Sequence, residues 1–211
     1  MIKEQRVQLK EYDKACNAIV RKVFKENGFR SISNSIYKTS NSYFIHANYN
    51  VGLYENNYTF SIDLYIKKYN YDDIFWGVLD MGENTNGKIS LRANGAFRSP
   101  SIPVTDKKYN IKNFANLDEM IRLALDDVNY EIDHFFETMI KEYGDFNKLV
   151  LAQSDILDEK LLKMIANIDC REYGVAKKFA KHELSEGRDG RFQNNGKGIY
   201  EYIVEYCSKK E

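Results

Sequence analysis

The chain predicts an α+β fold, with an N-terminal helix, an antiparallel sheet packed by a long acidic helix, and a C-terminal helical tail. Three observations carry this. From Tyr58 to Lys67, Tyr58, Phe60, Ile62, Leu64 and Ile66 alternate strictly with Thr59, Ser61, Asp63, Tyr65 and Lys67, which is the pattern of a half-buried strand. From Asn116 to Tyr143, Leu117, Ile121, Leu125, Val128, Ile132, Phe135 and Met139 recur at intervals of three or four, as on one face of a helix. The remaining segments sort by period into one more helix before the strands and several after the long helix, which is an α+β order.

Residues 4–27 open the chain as a helix whose stripe is Leu9, Tyr12, Cys16, Ile19 and Val23. Gly28 should close it in left-handed geometry, with Phe29 folding back on the last turn. Strands follow at Ser35–Lys38, Tyr43–Leu53 and Tyr58–Lys67, joined by asparagine-rich turns and most simply arranged as a meander of hairpins. Asp72 to Leu79 reads as a short helix capped by an aspartate, with Ile74, Val78 and Met81 on one face. Lys88 to Ala93 reads as a strand, leading into an extended run from Asn94 to Pro103 because residues before proline avoid helical geometry. After Gly144, shorter helices are expected over 146–152, 156–168, 172–184 and 199–207. A boundary at Gly144 divides the chain into an α+β domain, 1–144, and a helical subdomain, 145–211.

With 211 residues, 43% of them hydrophobic, the chain can bury a sizeable core. It begins with no long apolar run, so neither a secretory signal nor a membrane span is expected, which points to the cytoplasm and away from a membrane partner. Three cysteines, Cys16, Cys170 and Cys207, are read as reduced structural thiols. Net charge is zero but unevenly spread: residues 1–110 carry 16 basic and 11 acidic side chains, and residues 111–211 carry 15 and 20. Such a dipole orients encounters with charged partners.

The helix closed by Gly28-Phe29, the tyrosine-rich hairpin, Phe75-Trp76 in a short connector and the run Leu91-Arg92-Ala93-Asn94-Gly95-Ala96-Phe97 together resemble an uncharacterised family of short bacterial proteins, domain of unknown function 4304. The resemblance covers residues 8–140 and implies the same kind of α+β domain. That family has no established activity, so no catalytic residue is implied.

The candidate chemistry is sparse. Glu131-x-x-His134 has the spacing of two metal ligands on one helix, but no second such pair completes a di-iron site, and His134 is better read as a boundary histidine beside an acidic group. His182-Glu183 begins like a zinc-protease helix, with Glu186 where the second histidine belongs. No metal and no cofactor are therefore expected. The loop from Gly187 to Gly198 is glycine-rich and basic, and Arg191 and Lys197 could hold a phosphate. Arg92, Asn94 and Arg98 place guanidinium forks and an amide on an irregular segment, able to grip a carboxylate or phosphate. Tyr43, Tyr49, Tyr54, Tyr58 and Tyr65, with His46 and Asn48, either form an exposed aromatic face of the sheet or are buried beneath the long helix. The binding candidates are thus Tyr43, His46, Tyr65, Arg92, Asn94 and Arg98. They suggest a non-catalytic recognition protein with a protein partner, in an immunity or regulatory role. The alternatives are an enzyme or binding protein for a phosphorylated or carboxylated small molecule, and a single-stranded nucleic-acid binder, the last weakened by overall neutrality.

Overall fold

A computed structural model describes residues 3–153, 159–190 and 193–211. Helix α1 (Lys3–Glu26) is followed by strands β1 (Arg30–Ile32), β2 (Ser35–Ser40), β3 (Tyr43–Tyr54) and β4 (Asn57–Lys68). Helices α2 (Tyr71–Val78) and α3 (Leu91–Asn94) precede strand β5 (Ile102–Asn110) and the long helix α4 (Leu117–His134). The last part holds α5 (Lys141–Tyr143), α6 (Phe146–Ala152), α7 (Glu159–Asp169), α8 (Tyr173–Ser185), the two-residue strands β6 (Gln193–Asn194) and β7 (Lys197–Gly198), and α9 (Ile199–Ser208). The predicted α+β class holds.

The chain forms two compact units. One comprises the residues up to Ile66 together with Pro103–Thr138, and the other Lys67–Ile102 with Met139–Glu211. This cuts the chain differently from a single boundary at Gly144. The segment between β4 and β5 belongs with the C-terminal helices, because its core residues Tyr71, Phe75, Trp76 and Leu79 need apolar partners that a short excursion cannot supply alone.

In the first unit β1 to β5 stand in sequence order as an antiparallel sheet. Its hairpins are set by tight turns whose residues take positive φ: Ser33 at 50°, Asn41 at 51°, and Glu55 and Asn56 at 48° and 65°. Ile36 therefore pairs with Ala47 and Tyr37 with His46. One face of the sheet packs on α1 and α4, which lie together. Tyr49 Oη donates to Asn17 Oδ1 of α1 at 2.8 Å, and Lys38 Nζ to Asn129 Oδ1 of α4 at 3.3 Å. The alternating row of β4 behaves as predicted: Phe60, Ile62, Leu64 and Ile66 are essentially inaccessible. Tyr58, at the end of that row, is half-buried, its ring 4.9 Å from Tyr12 and its hydroxyl on Gln8 Oε1 at 3.0 Å.

Helix α1 buries Tyr12, Cys16, Val20, Val23 and Phe24, a stripe turned slightly from the predicted one, with Leu9 and Ile19 at its margin. Gly28 closes it at φ 81°, where a side chain would be strained. The Phe29 amide then donates to Phe24 O at 3.0 Å, and the two rings meet edge to face at 5.3 Å. Burial pushes the thiols of Cys16 and Cys207 up to about 12 and about 11, which suits inert core residues.

Three local expectations are corrected. Lys88 to Ala93 is not a strand: the chain makes a turn and then α3, ending where Gly95 passes so close to Leu91 O that a Cβ would sit at 2.4 Å. Asp72 does not cap α2. Asn70 precedes that helix without a side-chain cap, and Asp72 points into the interior. The helix over 116–143 is not uniform in winding, since Phe135–Ile140 relaxes into a π-helix between α4 and α5.

The two sides of β4 predict unequal mutational costs. Ile62→Ala should lower stability by about 2–5 kcal/mol through the lost burial and the cavity left behind. Ser61→Ala, from the opposite row, should change it by less than about 1 kcal/mol. Urea midpoints of the two variants at equal slope test the assignment.

Candidate recognition surface

Strand parity separates the tyrosine candidates. Tyr43 and Tyr49 are odd positions of β3 and face the helices, Tyr43 with its ring 4.8 Å from Phe136. His46 is an even position on the opposite face, stacked on Tyr65 at 5.2 Å with Phe44 at 5.9 Å, and is almost wholly buried. A single aromatic face holding Tyr43, His46 and Tyr65 therefore does not exist, because neighbours of odd and even number leave a strand in opposite directions. Of this set only Tyr54 is widely exposed, and Lys108 lies over its ring at 5.2 Å.

Arg92, Asn94 and Arg98 also part company. Asn94 and Arg98 are exposed, whereas Arg92 is 2% exposed in the interior of the second unit. Its guanidinium donates to Asp73 Oδ1 at 2.7 Å and Tyr69 O at 3.1 Å, and lies between the rings of Tyr69 and Trp76, 3.9 and 4.8 Å from their centres. Beside it, Lys67 Nζ is fully enclosed and donates to Asp72 Oδ1 at 2.8 Å, Arg92 O at 3.0 Å and Ser99 O at 3.3 Å. Asp72 Oδ1 accepts the Ser99 amide at 2.8 Å, and Trp76 Nε1 closes the group on Phe97 O. Burial draws the Lys67 ammonium down to about 8 despite the Asp72 carboxylate, which acts the other way. The cluster ties Lys67, the start of α2 and the loop around Ser99 into one polar core. It leaves no guanidinium fork of Arg92 for a ligand.

Arg191 lies outside the described residues. Lys197 Nζ is held by Glu205 Oε1 and Oε2 at 2.6 and 2.8 Å. In the same region Arg188 forks onto Glu183, Nε to Oε2 at 2.6 Å and Nη2 to Oε1 at 3.1 Å, with Lys160 Nζ at 2.8 Å. The Arg188 hydrogen bond is the largest reason that the Glu183 carboxyl falls to about 2. His134 is exposed and stacks on Tyr130, in parallel at 5.9 Å, so its ring partner is aromatic rather than acidic. His182 borders a groove of about 500 Å³ along α8 with Val175, Lys178 and Phe179. Among the described residues no group of three His, Cys, Asp or Glu could hold a metal ion.

The outer side of α4 is a further open surface. Six acidic side chains and one basic one lie on this helix. Between the carboxylates stand Leu123, 53% exposed, and Tyr130, 65% exposed. A groove of about 740 Å³ runs between the end of β5 and the first half of α4, with Tyr109, Asn110, Met120, Leu123, Glu119 and Asp126 among its walls. Its inner side is fixed: Tyr109 Oη donates to Asp127 Oδ2 at 2.6 Å, and Lys107 Nζ meets Glu131 Oε1 at 3.0 Å. Burial, then the bond to Asp127, keeps the Tyr109 phenol protonated well above its ordinary range. On the outer side Asp118 is spent on Arg122 in an exposed pair, while Glu119, Asp126, Asp133 and Glu137 are exposed. In the sequence this helix is marked as acidic, and its acids stand apart from the binding candidates. The signal was the apolar pair Leu123 and Tyr130 lying off the core stripe.

Comparison with family models, with curated proteins and with solved structures found no match to this chain. No helix among the described residues is long and apolar enough to cross a membrane.

Two predictions follow from the ionic groups. Asp72→Ala should cost about 3–5 kcal/mol by stranding the Lys67 ammonium, while Lys67→Met with Asp72→Leu should cost much less, as buried pairs replaced together usually do; chemical denaturation of both variants checks this. The Glu183 carboxyl, held below its ordinary 4.5, contributes stability that is complete above that value and is lost as pH falls through about 2. Glu183→Gln should therefore flatten the stability profile between those limits, as read by urea unfolding at several acidic pH values.

Proposed function

We propose that this chain is a recognition protein that binds a basic surface of a protein partner through the outer side of α4 and the adjoining groove. The observation that carries the reading is the placement of Leu123 and Tyr130 among Glu119, Asp126, Asp133 and Glu137. Large exposed side chains set in a ring of like charge fit the plan of a protein interface, in which aromatic or aliphatic anchors supply affinity and the charged rim supplies steering. A row of carboxylates also opposes the phosphates of a nucleic acid, which favours a protein over an oligonucleotide. Arg92 and Lys197, two of the cations considered for a phosphorylated small molecule, are engaged internally. An immunity or regulatory role is compatible with binding of this kind.

The test uses a labelled peptide of lysine and leucine and a single-stranded oligonucleotide as the opposing probe. The peptide should bind and the oligonucleotide should not. Glu119→Lys with Asp126→Lys should weaken the peptide by roughly tenfold at low salt and much less at high salt. Leu123→Ala with Tyr130→Ala should cost about 1–2 kcal/mol at either salt. Peptide binding unchanged in both double variants overturns the reading.

A further inference from the structure

We infer that the partner bound at α4 also pairs its backbone with the outer margin of β5, entering the sheet as an additional strand; this rests on the recognition reading above. The sheet ends in β1 on one side and β5 on the other. A sheet margin presents a row of N–H and C=O groups that another chain can pair with, and proteins usually blunt it with short strands, proline or lysine. β1 is blunted by length, having three residues. β5 has nine, about 30 Å of extended chain.

The usual guards are weak along β5. Pro103 is the second residue of the strand, and no proline follows it up to Asn110. Lys107 is drawn to Glu131 and Lys108 over the Tyr54 ring, so each amine leans onto a face of the sheet instead of across its margin. The Ile111 amide donates to Tyr58 O at 2.7 Å, which sets the phase of the ladder. In an antiparallel pair successive residues turn their polar groups to opposite sides, so those of Asp106, Lys108 and Asn110 turn away from β4. Among the described residues no backbone group bonds to them there.

The chemistry of the occupant follows from what lies beside this margin. Tyr109 and Asn110 belong both to β5 and to the groove wall, so a strand laid along the margin there lies beside Glu119, Met120, Leu123 and Asp126, with Lys112 as a cation among them. Every second side chain of the added strand would face α4 and meet Leu123, and the others would face the opposite side of the sheet, where the Asp106 carboxylate is exposed. An extended segment with apolar and basic residues in alternation fits; its backbone supplies affinity and its side chains the selection.

The experiment uses the full chain and a peptide of about ten alternating valines and lysines, long enough to follow the margin. Two further versions carry N-methyl groups on every second amide, in one register or the other. Pairing predicts that one methylated register loses about tenfold or more in affinity while the other keeps it, since only one edge of the peptide meets the protein. It also predicts that the amide resonances of Asp106, Lys108 and Asn110 in isotope-labelled protein shift on titration. Equal binding by both methylated peptides, shifts that avoid β5, or no binding by the parent peptide overturns the inference. So does concentration-dependent shifting of the same amides without peptide, which would assign the margin to a second copy of the chain. If Glu119→Lys with Asp126→Lys weakens the peptide while methylation in either register does not, the recognition reading stands and strand pairing falls.

Discussion

A strand can give only every second side chain to the layer beneath it, and β4 spends that allowance on Phe60, Ile62, Leu64 and Ile66. The helices α1 and α4 are placed by this row and by its counterparts on β2 and β3, Ile36, Ile45 and Ala47. The same alternation disposes of everything on the opposite row. It puts the His46 ring on Tyr65 and away from the helices, and it brings Lys67, last of the polar row, into a dry pocket where Asp72 must meet it.

That last placement explains why a lysine one residue from the end of a strand has no access to solvent. Removing an ammonium from water is costly unless carboxylate and carbonyl groups take over its hydration. Here Asp72, Arg92 O and Ser99 O do so from three separate parts of the 67–102 segment. Residues far apart in sequence thus converge on one buried charge. Apolar packing of Tyr71, Phe75, Trp76 and Leu79 adds stability but permits more alternatives.

Much of this was legible in the chain. Periods of two and of about 3.6 located β2, β3, β4, α1, α4 and α6, and asparagine-rich joints located the hairpins, because these signals are local. β5 was not located. Its burial is slight and its row of Thr105, Lys107 and Tyr109 is polar, with Lys107 and Tyr109 meeting Glu131 and Asp127 of α4, so no apolar alternation marks it. Arg92 was read as a surface fork because a sequence does not show that Asp73, Tyr69 and Trp76 will enclose it. The tyrosine set was open to correction without coordinates, since Tyr43 and His46 differ in parity within one strand. The outer side of α4 was visible as charge, but exposure of Leu123 and Tyr130 depends on which flank of the helix α1 and the sheet leave open.

The order of β5 in the chain bears on how the molecule is made. Strand β4 emerges from the ribosome with its second neighbour still unsynthesised, and the whole stretch from Tyr69 to Ser101 must be translated before β5 can cover it. For that interval β4, with Phe60, Ile62, Leu64 and Ile66, is a bare rim in a half-finished nascent chain, the condition in which aggregation and chaperone capture compete with folding.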